Sequence, residues 1–115
     1  MNKISIRFYN NREVRAIWSD NDSRWFYSAT DIVRAINNES DYVKAGNYWR
    51  WLKKKLAAQG VQPVSDTHKF KLVGPDGKKR VADVMDDKGV MLLAKHYPNN
   101  RANEFLDWFT YSEYD

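Results

Sequence analysis

The chain has 115 residues, 19 Lys+Arg against 15 Asp+Glu for a formal net charge of +4, with five Trp, seven Tyr, five Phe and no cysteine. That length predicts one domain over residues 1–115, and so many aromatic side chains exclude a disordered chain; the absence of cysteine excludes disulfide frameworks, thiolate metal sites and cysteine nucleophiles. No apolar run approaches the ~20 residues of a membrane span and no charged-then-apolar start resembles a signal peptide, so a cytoplasmic protein without a membrane partner is expected.

The opening reads as strands. Ile4, Ile6 and Phe8 alternate with Ser5 and Arg7, the period-two pattern of a half-buried strand with those three as its apolar face. Asn10-Asn11 is a turn dipeptide, after which Val14, Ala16 and Trp18 alternate with Arg15 and Ile17. The polar cluster Asp20 to Ser23 then precedes the aromatic run Trp25-Phe26-Tyr27, which completes a three-stranded antiparallel meander.

Ser28 with Asp31 three residues on resembles a capping box, and Ile32, Val33 and Ile36 share one face of the short helix it would start. Asn47 is the expected cap of a second helix, stopped by Gly60. On a 100° wheel Tyr48, Trp49, Leu52, Leu56 and Gln59 form its apolar face, Arg50, Lys54 and Ala57 point away, and Lys53 lies on the flank. Trp51 falls well off the apolar face, which leaves three readings open: core edge, partner contact or base stacking.

His68 to Leu72 alternates so that Lys69 and Lys71 oppose Phe70 and Leu72, and Gly74-Pro75-Asp76-Gly77 turns the chain into a returning strand, Lys78 to Val84. Asp86 or Asp87 caps a third helix carrying Val90, Met91, Leu93 and Ala94. A fourth helix from about Arg101 carries Ala102, Phe105, Leu106 and Phe109. Strands and helices so interspersed, with a second β-hairpin and about four helices, predict an α+β fold in one domain.

The modest net charge hides a division. Residues 50–80 hold nine basic and two acidic residues, a net +7, whereas residues 1–49 carry +1 and residues 81–115 carry −4. A block of this kind points to a polyanion, with a solvated basic face as the plain alternative. The candidate nucleic-acid-binding residues are Arg50, Lys53 and Lys54 on the helix and Lys69, Lys71, Lys78, Lys79 and Arg80 on the hairpin, which would act as a wing. Lysine and arginine neutralise phosphates and release counterions, so six such contacts on duplex DNA would give a log–log salt slope near −5. Arg50 is also the best candidate to reach a base edge, since an arginine fork matches guanine.

An enzyme is not expected. Asp83, Asp86, Asp87 and His68 or His96 could form a metal cluster, but Asp86 and Asp87 sit where a helix cap is wanted and neither histidine falls in a metal-ligand spacing. Ser28 lacks the setting of a nucleophile and is better read as a cap. No cofactor and no metal are expected.

Phe8-Tyr9-Asn10-Asn11-Arg12-Glu13-Val14-Arg15, then Trp25-Phe26-Tyr27-Ser28-Ala29-Thr30-Asp31-Ile32, resembles the start of the Bro-N domain found in prophage antirepressor-like proteins and the BRO proteins of large DNA viruses. Tyr48-Trp49, Leu52 to Leu56, Lys69 to Leu72, Asp76 to Lys79, Asp83-Val84 through Leu92-Leu93, Pro98 and Phe105 to Trp108 extend the resemblance over nearly the whole chain. It implies a DNA-binding module of a phage-type transcriptional regulator at work in a bacterial host cell, either standing alone or as the N-terminal part of a longer protein. Duplex DNA is the favoured partner and single-stranded DNA the second. The alternative is a protein-interaction module that binds a repressor protein or forms a homodimer, with Trp51, Trp108 and Tyr111 as candidate contacts.

Overall fold

The computed structural model describes residues 3–64 and 70–113. Strands β1 (Ile4–Tyr9), β2 (Arg12–Ser19) and β3 (Arg24–Ser28) form the meander. Helices α1 (Ala29–Asn37) and α2 (Tyr42–Ala58) follow, then the hairpin of β4 (Phe70–Val73) and β5 (Lys79–Ala82). The short strand β6 (Val84–Met85) and helices α3 (Asp87–Lys95) and α4 (Ala102–Glu113) complete an α+β fold. The main sheet is antiparallel in the order β1-β2-β3-β6, and β4-β5 is a separate two-stranded sheet.

One face of the main sheet makes the core. Val14, Ala16, Tyr27 and Met85 are buried there with Ile32, Val33 and Ile36 of α1, Val90 and Leu93 of α3, and Phe105 and Phe109 of α4. The Tyr27 and Phe109 rings meet edge to face at 4.9 Å, a favoured aromatic geometry. Trp49, Leu52 and Leu56 carry α2 into the same cluster. The opposite sheet face buries Ile17 and Phe26, and the hairpin covers it there: Leu72 is buried and the Phe70 ring lies 5.7 Å from Phe26.

Local chemistry explains most boundaries. Asn10 and Asn11 both take positive φ (53° and 60°), as a two-residue hairpin turn needs, and pair Tyr9 with Arg12. The Ser28 hydroxyl accepts the Asp31 N–H and caps α1, and Asp86 caps α3 by accepting the Gly89 N–H. Gly89 is required by packing, because a Cβ there would lie 2.2 Å from the Pro63 carbonyl oxygen. The end of α2 is a Schellman motif: Val61 N–H reaches the Leu56 carbonyl, Gly60 N–H reaches that of Ala57, and Gly60 has φ +77°.

Four sequence expectations need correction. The first concerns the phase of β1. Ile4, Ile6 and Phe8 are 62%, 48% and 59% exposed, whereas Tyr9 turns inward, its ring 5.2 Å from Phe105 and 5.3 Å from Trp108. The Asn-Asn turn decides this, because residues opposed in an antiparallel pair share a face. The register sets Arg7 opposite Val14 and Ser5 opposite Ala16, so burying Val14 and Ala16 sends the isoleucine row outward. Arg7 carries the cost, with its Nη1 buried and unpartnered among the described residues.

Second, α2 begins six residues earlier than an Asn47 cap implies. Asp41 is the cap, accepting the N–H groups of Val43 and Lys44, and Asn47 is an exposed mid-helix residue. Gln59, expected on the apolar face, is the exposed C-cap. Third, the returning strand is broken at Asp83: β5 stays in the hairpin while β6 crosses to pair with β3. Fourth, Asp31 does not close a reciprocal capping box, because its carboxylate is taken up by Arg15.

Candidate nucleic-acid interface

The basic block maps onto α2 and the β4-β5 hairpin, and two ties hold these elements together. The first is Asp83, just past β5: its Oδ2 accepts from Trp49 Nε1 at 2.8 Å and from Lys53 Nζ at 3.0 Å. The second is Arg15 on β2. Its Nη1 donates to the Val73 carbonyl at 2.8 Å, and its Nη2 donates to the Tyr42 hydroxyl at 3.1 Å and to Asp31 Oδ1 at 3.0 Å. Its Nε and its backbone N–H both reach Asp31 Oδ2, at 2.7 and 3.0 Å. One guanidinium therefore joins β2, α1, the start of α2 and the end of β4. Hydrogen bonding to Asp31 raises the arginine's pKa further, and burial pushes the Tyr42 hydroxyl up. With β4 held at Val73 and β5 held just beyond Ala82, the hairpin is fixed at both ends of its ladder.

The tip of the hairpin is ordered by Asp76. Its Oδ1 accepts the Lys78 N–H at 3.1 Å and Arg80 Nη1 at 2.8 Å, while Oδ2 accepts Arg80 Nη2 at 2.5 Å. Gly77 takes φ +81° to let the chain turn. The Arg80 guanidinium, with help from the Lys78 N–H, holds the Asp76 carboxyl at about 2, and the Arg80 pKa rises in return.

The expected cations therefore divide. Lys53 is paired with Asp83 and Arg80 with Asp76, both in exposed or half-exposed settings. Arg50, Lys54, Lys71, Lys78 and Lys79 are exposed and have no ion-pair partner among the described residues. Arg50 donates from Nη2 to the neutral Asn47 side chain, which leaves its charge uncompensated. Lys71 points away from buried Leu72, as the alternation requires. Lys69 lies outside the described residues, as does His68.

Trp51 lies outside the core cluster and is 49% exposed. Tyr48 packs against it at 5.4 Å, and Lys55 Nζ sits 5.0 Å from the ring centroid, an i,i+4 cation–π contact. Lys55 was not among the expected site residues, although its spacing from Trp51 was visible in the sequence. The pair sets an aromatic face beside a cation on the helix that also exposes Arg50 and Lys54. Trp108 is half-buried against Tyr9 and Phe105, an ordinary packing role, whereas Tyr111 is 78% exposed.

Three of the residues weighed for catalysis are engaged elsewhere. Asp86 caps α3 and pairs with Arg24 at 2.9 Å, Asp83 joins the hairpin to α2, and Ser28 is buried as the cap of α1. Among the described residues no group of His, Asp and Glu is arranged to hold a metal ion, and no helix is long and apolar enough to cross a membrane. Compared with protein-family models, with curated proteins and with solved structures, the chain finds no match.

Proposed function

We propose that this chain is a non-catalytic DNA-binding module of the Bro-N type, part of a phage- or prophage-type transcriptional regulator acting in the cytoplasm of a bacterial host. The observation that carries this reading is the set of five exposed cations, Arg50, Lys54, Lys71, Lys78 and Lys79, unpaired among the described residues and set on a helix and a hairpin tied together through Asp83 and Arg15. A rigid frame of this kind supports phosphate contacts from two elements at once, which fix position on a duplex without reading sequence. Arg50 is the residue assigned to a base edge, and Trp51 with Lys55 the pair assigned to an unpaired base at a distorted or single-stranded site.

The pairing of Lys53 and Arg80 refines the expected salt response. With five phosphate contacts instead of six, log affinity for random duplex falls against log salt with a slope of roughly −4.5. Titrating random duplex, random single strand and the protein's own upstream DNA over a salt series tests the reading. Trp51→Ala should lower affinity for the single strand more than for the duplex. Equal losses on both would return Trp51 to a packing role.

A second reading has its own support. The apolar row of β1 is a surface for protein contact, which the alternative of an interaction module that binds a repressor or self-associates requires. Binding of a repressor that survives high salt, with no affinity for DNA at low salt, would favour it.

A further inference from the structure

β1 is an edge strand, and its exposed face is apolar. Ile4, Ile6 and Phe8 present their side chains to one side of the sheet, beyond the part that the hairpin covers. From their fractional exposure they offer roughly 350 Å² per copy, the size at which an apolar patch on a monomer marks an interaction site. The backbone of the same residues is open as well. The Trp18 N–H donates to the Lys3 carbonyl, so odd-numbered residues of β1 turn their peptide groups towards β2. The N–H and C=O groups of Ile4, Ile6 and Phe8 therefore point to the free edge, where no strand pairs with them among the described residues.

We infer that β1 pairs antiparallel with β1 of a second copy of this chain, on a two-fold axis at Ile6. Three registers keep outward-facing peptide groups opposite one another, and charge selects among them. Centring on Ser5 sets Lys3 opposite Arg7 of the other copy, and centring on Arg7 sets two arginines face to face; like charges in these positions destabilise a pair. Centring on Ile6 sets Ile6 against Ile6, Ile4 against Phe8, Arg7 against Ser5 and Lys3 against Tyr9. This register alone matches the whole apolar row to itself, satisfies the outward peptide groups of all three residues and opposes no like charges.

The arrangement is isologous and closed, because each copy spends its one free β1 edge on the other and the two four-stranded sheets become continuous. The three residues of both copies expose roughly 700 Å² in all, an upper bound on what their pairing buries and below the ~1,200 Å² of the smallest stable interfaces, so the dimer is weak and concentration-dependent. The inference is independent of the DNA reading, although a two-fold pair would present two basic faces to paired half-sites.

Sedimentation of the full chain tests it. The weight-average mass should climb from 13.6 kDa towards twice that value between about 10 µM and about 1 mM. Phe8→Lys, which sets a lysine opposite Glu13 within the monomer, and Ile4→Thr should each weaken association at least tenfold while circular dichroism stays unchanged. The absence of native cysteine allows a direct check that does not depend on those variants folding. Ile6→Cys should cross-link to a dimer with a short bismaleimide, and Val81→Cys, exposed on the hairpin, should not. A mass constant over that range, association unchanged by Phe8→Lys, or equal cross-linking of the two cysteine variants would overturn the inference. Capture of an extended peptide of another sequence by β1 in preference to a second copy would do so too.

Discussion

Two sets of charged residues share one corner of this fold and are built on opposite principles. Around Arg15 every charge is answered: its guanidinium side chain is 15% exposed and Asp31's 3%, and the arginine's donors are spent on Asp31, Tyr42 and Val73. On α2 and the hairpin it supports, Arg50, Lys54, Lys71, Lys78 and Lys79 stand in solvent without ion-pair partners among the described residues. A buried, saturated pair organises structure, because losing one partner leaves an uncompensated charge in a poor solvent. Exposed, unanswered cations contribute little to stability and keep their charge for a ligand. The first set is a frame and the second is what the frame presents.

The contrast predicts that mutations separate cleanly into losses of stability and losses of binding. Asp31→Ala strands Arg15 and should cost about 3–5 kcal/mol of folding stability, measured by urea or thermal unfolding; Arg15→Ala should cost a similar amount. A loss under 1 kcal/mol would show that the cluster is not the frame. Replacing Lys53, Lys54, Lys78 and Lys79 by alanine together should leave the melting temperature within a few degrees of wild type. It should lower duplex affinity at moderate salt by roughly 100-fold, about 2.7 kcal/mol, and flatten the salt slope by about three phosphate contacts, because Lys53 is already paired. Intact binding in that variant would move the interface elsewhere.

Asp76→Asn sharpens the comparison within the hairpin. It removes an anion and frees Arg80, so duplex affinity should rise several-fold and the slope should steepen by roughly 0.9, the value of one further phosphate contact. A fall in affinity would mean that Asp76 matters more for the shape of the turn than for its charge. The smallest effect is one of pH. Asp76 is held at about 2 against an ordinary value of 3.8, so its contribution to hairpin order is complete above about pH 4 and is lost as pH falls through 2. The carboxyl resonance of Asp76, followed by NMR, should titrate near 2 in the wild type and close to the ordinary value in Arg80→Ala.

Much of the fold was legible in the sequence because its signals were local. The meander with its Asn-Asn turn, the Ser28 cap, the Asp86 cap and the Gly-Pro-Asp-Gly hairpin all rest on residues that act within a few positions of one another. What alternation alone could not supply was phase. Ile4, Ile6 and Phe8 look like the buried row of β1 until the two-residue turn is followed through, after which Val14 and Ala16 claim the inner face for Arg7 and Ser5. The start of α2 was hidden because Asn47 reads as a cap, whereas the Asp41 cap and the Arg15–Tyr42 contact extend the helix by another turn and more.

The candidate site was legible as a cluster of charge but not in its detail. Composition located the block between residues 50 and 80, yet could not show that Asp83 and Asp76 withdraw Lys53 and Arg80 from it. The Asp83 pairing spans thirty residues and exists only because β5 returns beside α2. The Asp76 pairing lies within the turn and follows from its geometry. The aromatic position off the apolar face, Trp51, proved informative: the wheel set it apart, and the structure leaves it half-exposed with Lys55 over the ring.

The central claim is that unpaired cations on the tied helix and hairpin are the working surface, and the salt dependence of binding to random duplex tests it most directly. Five phosphate contacts require log affinity to fall with log salt at roughly −4.5, flattening towards −2 in the quadruple alanine variant. A slope near zero in the wild-type chain, or an unchanged slope in the variant, would contradict it.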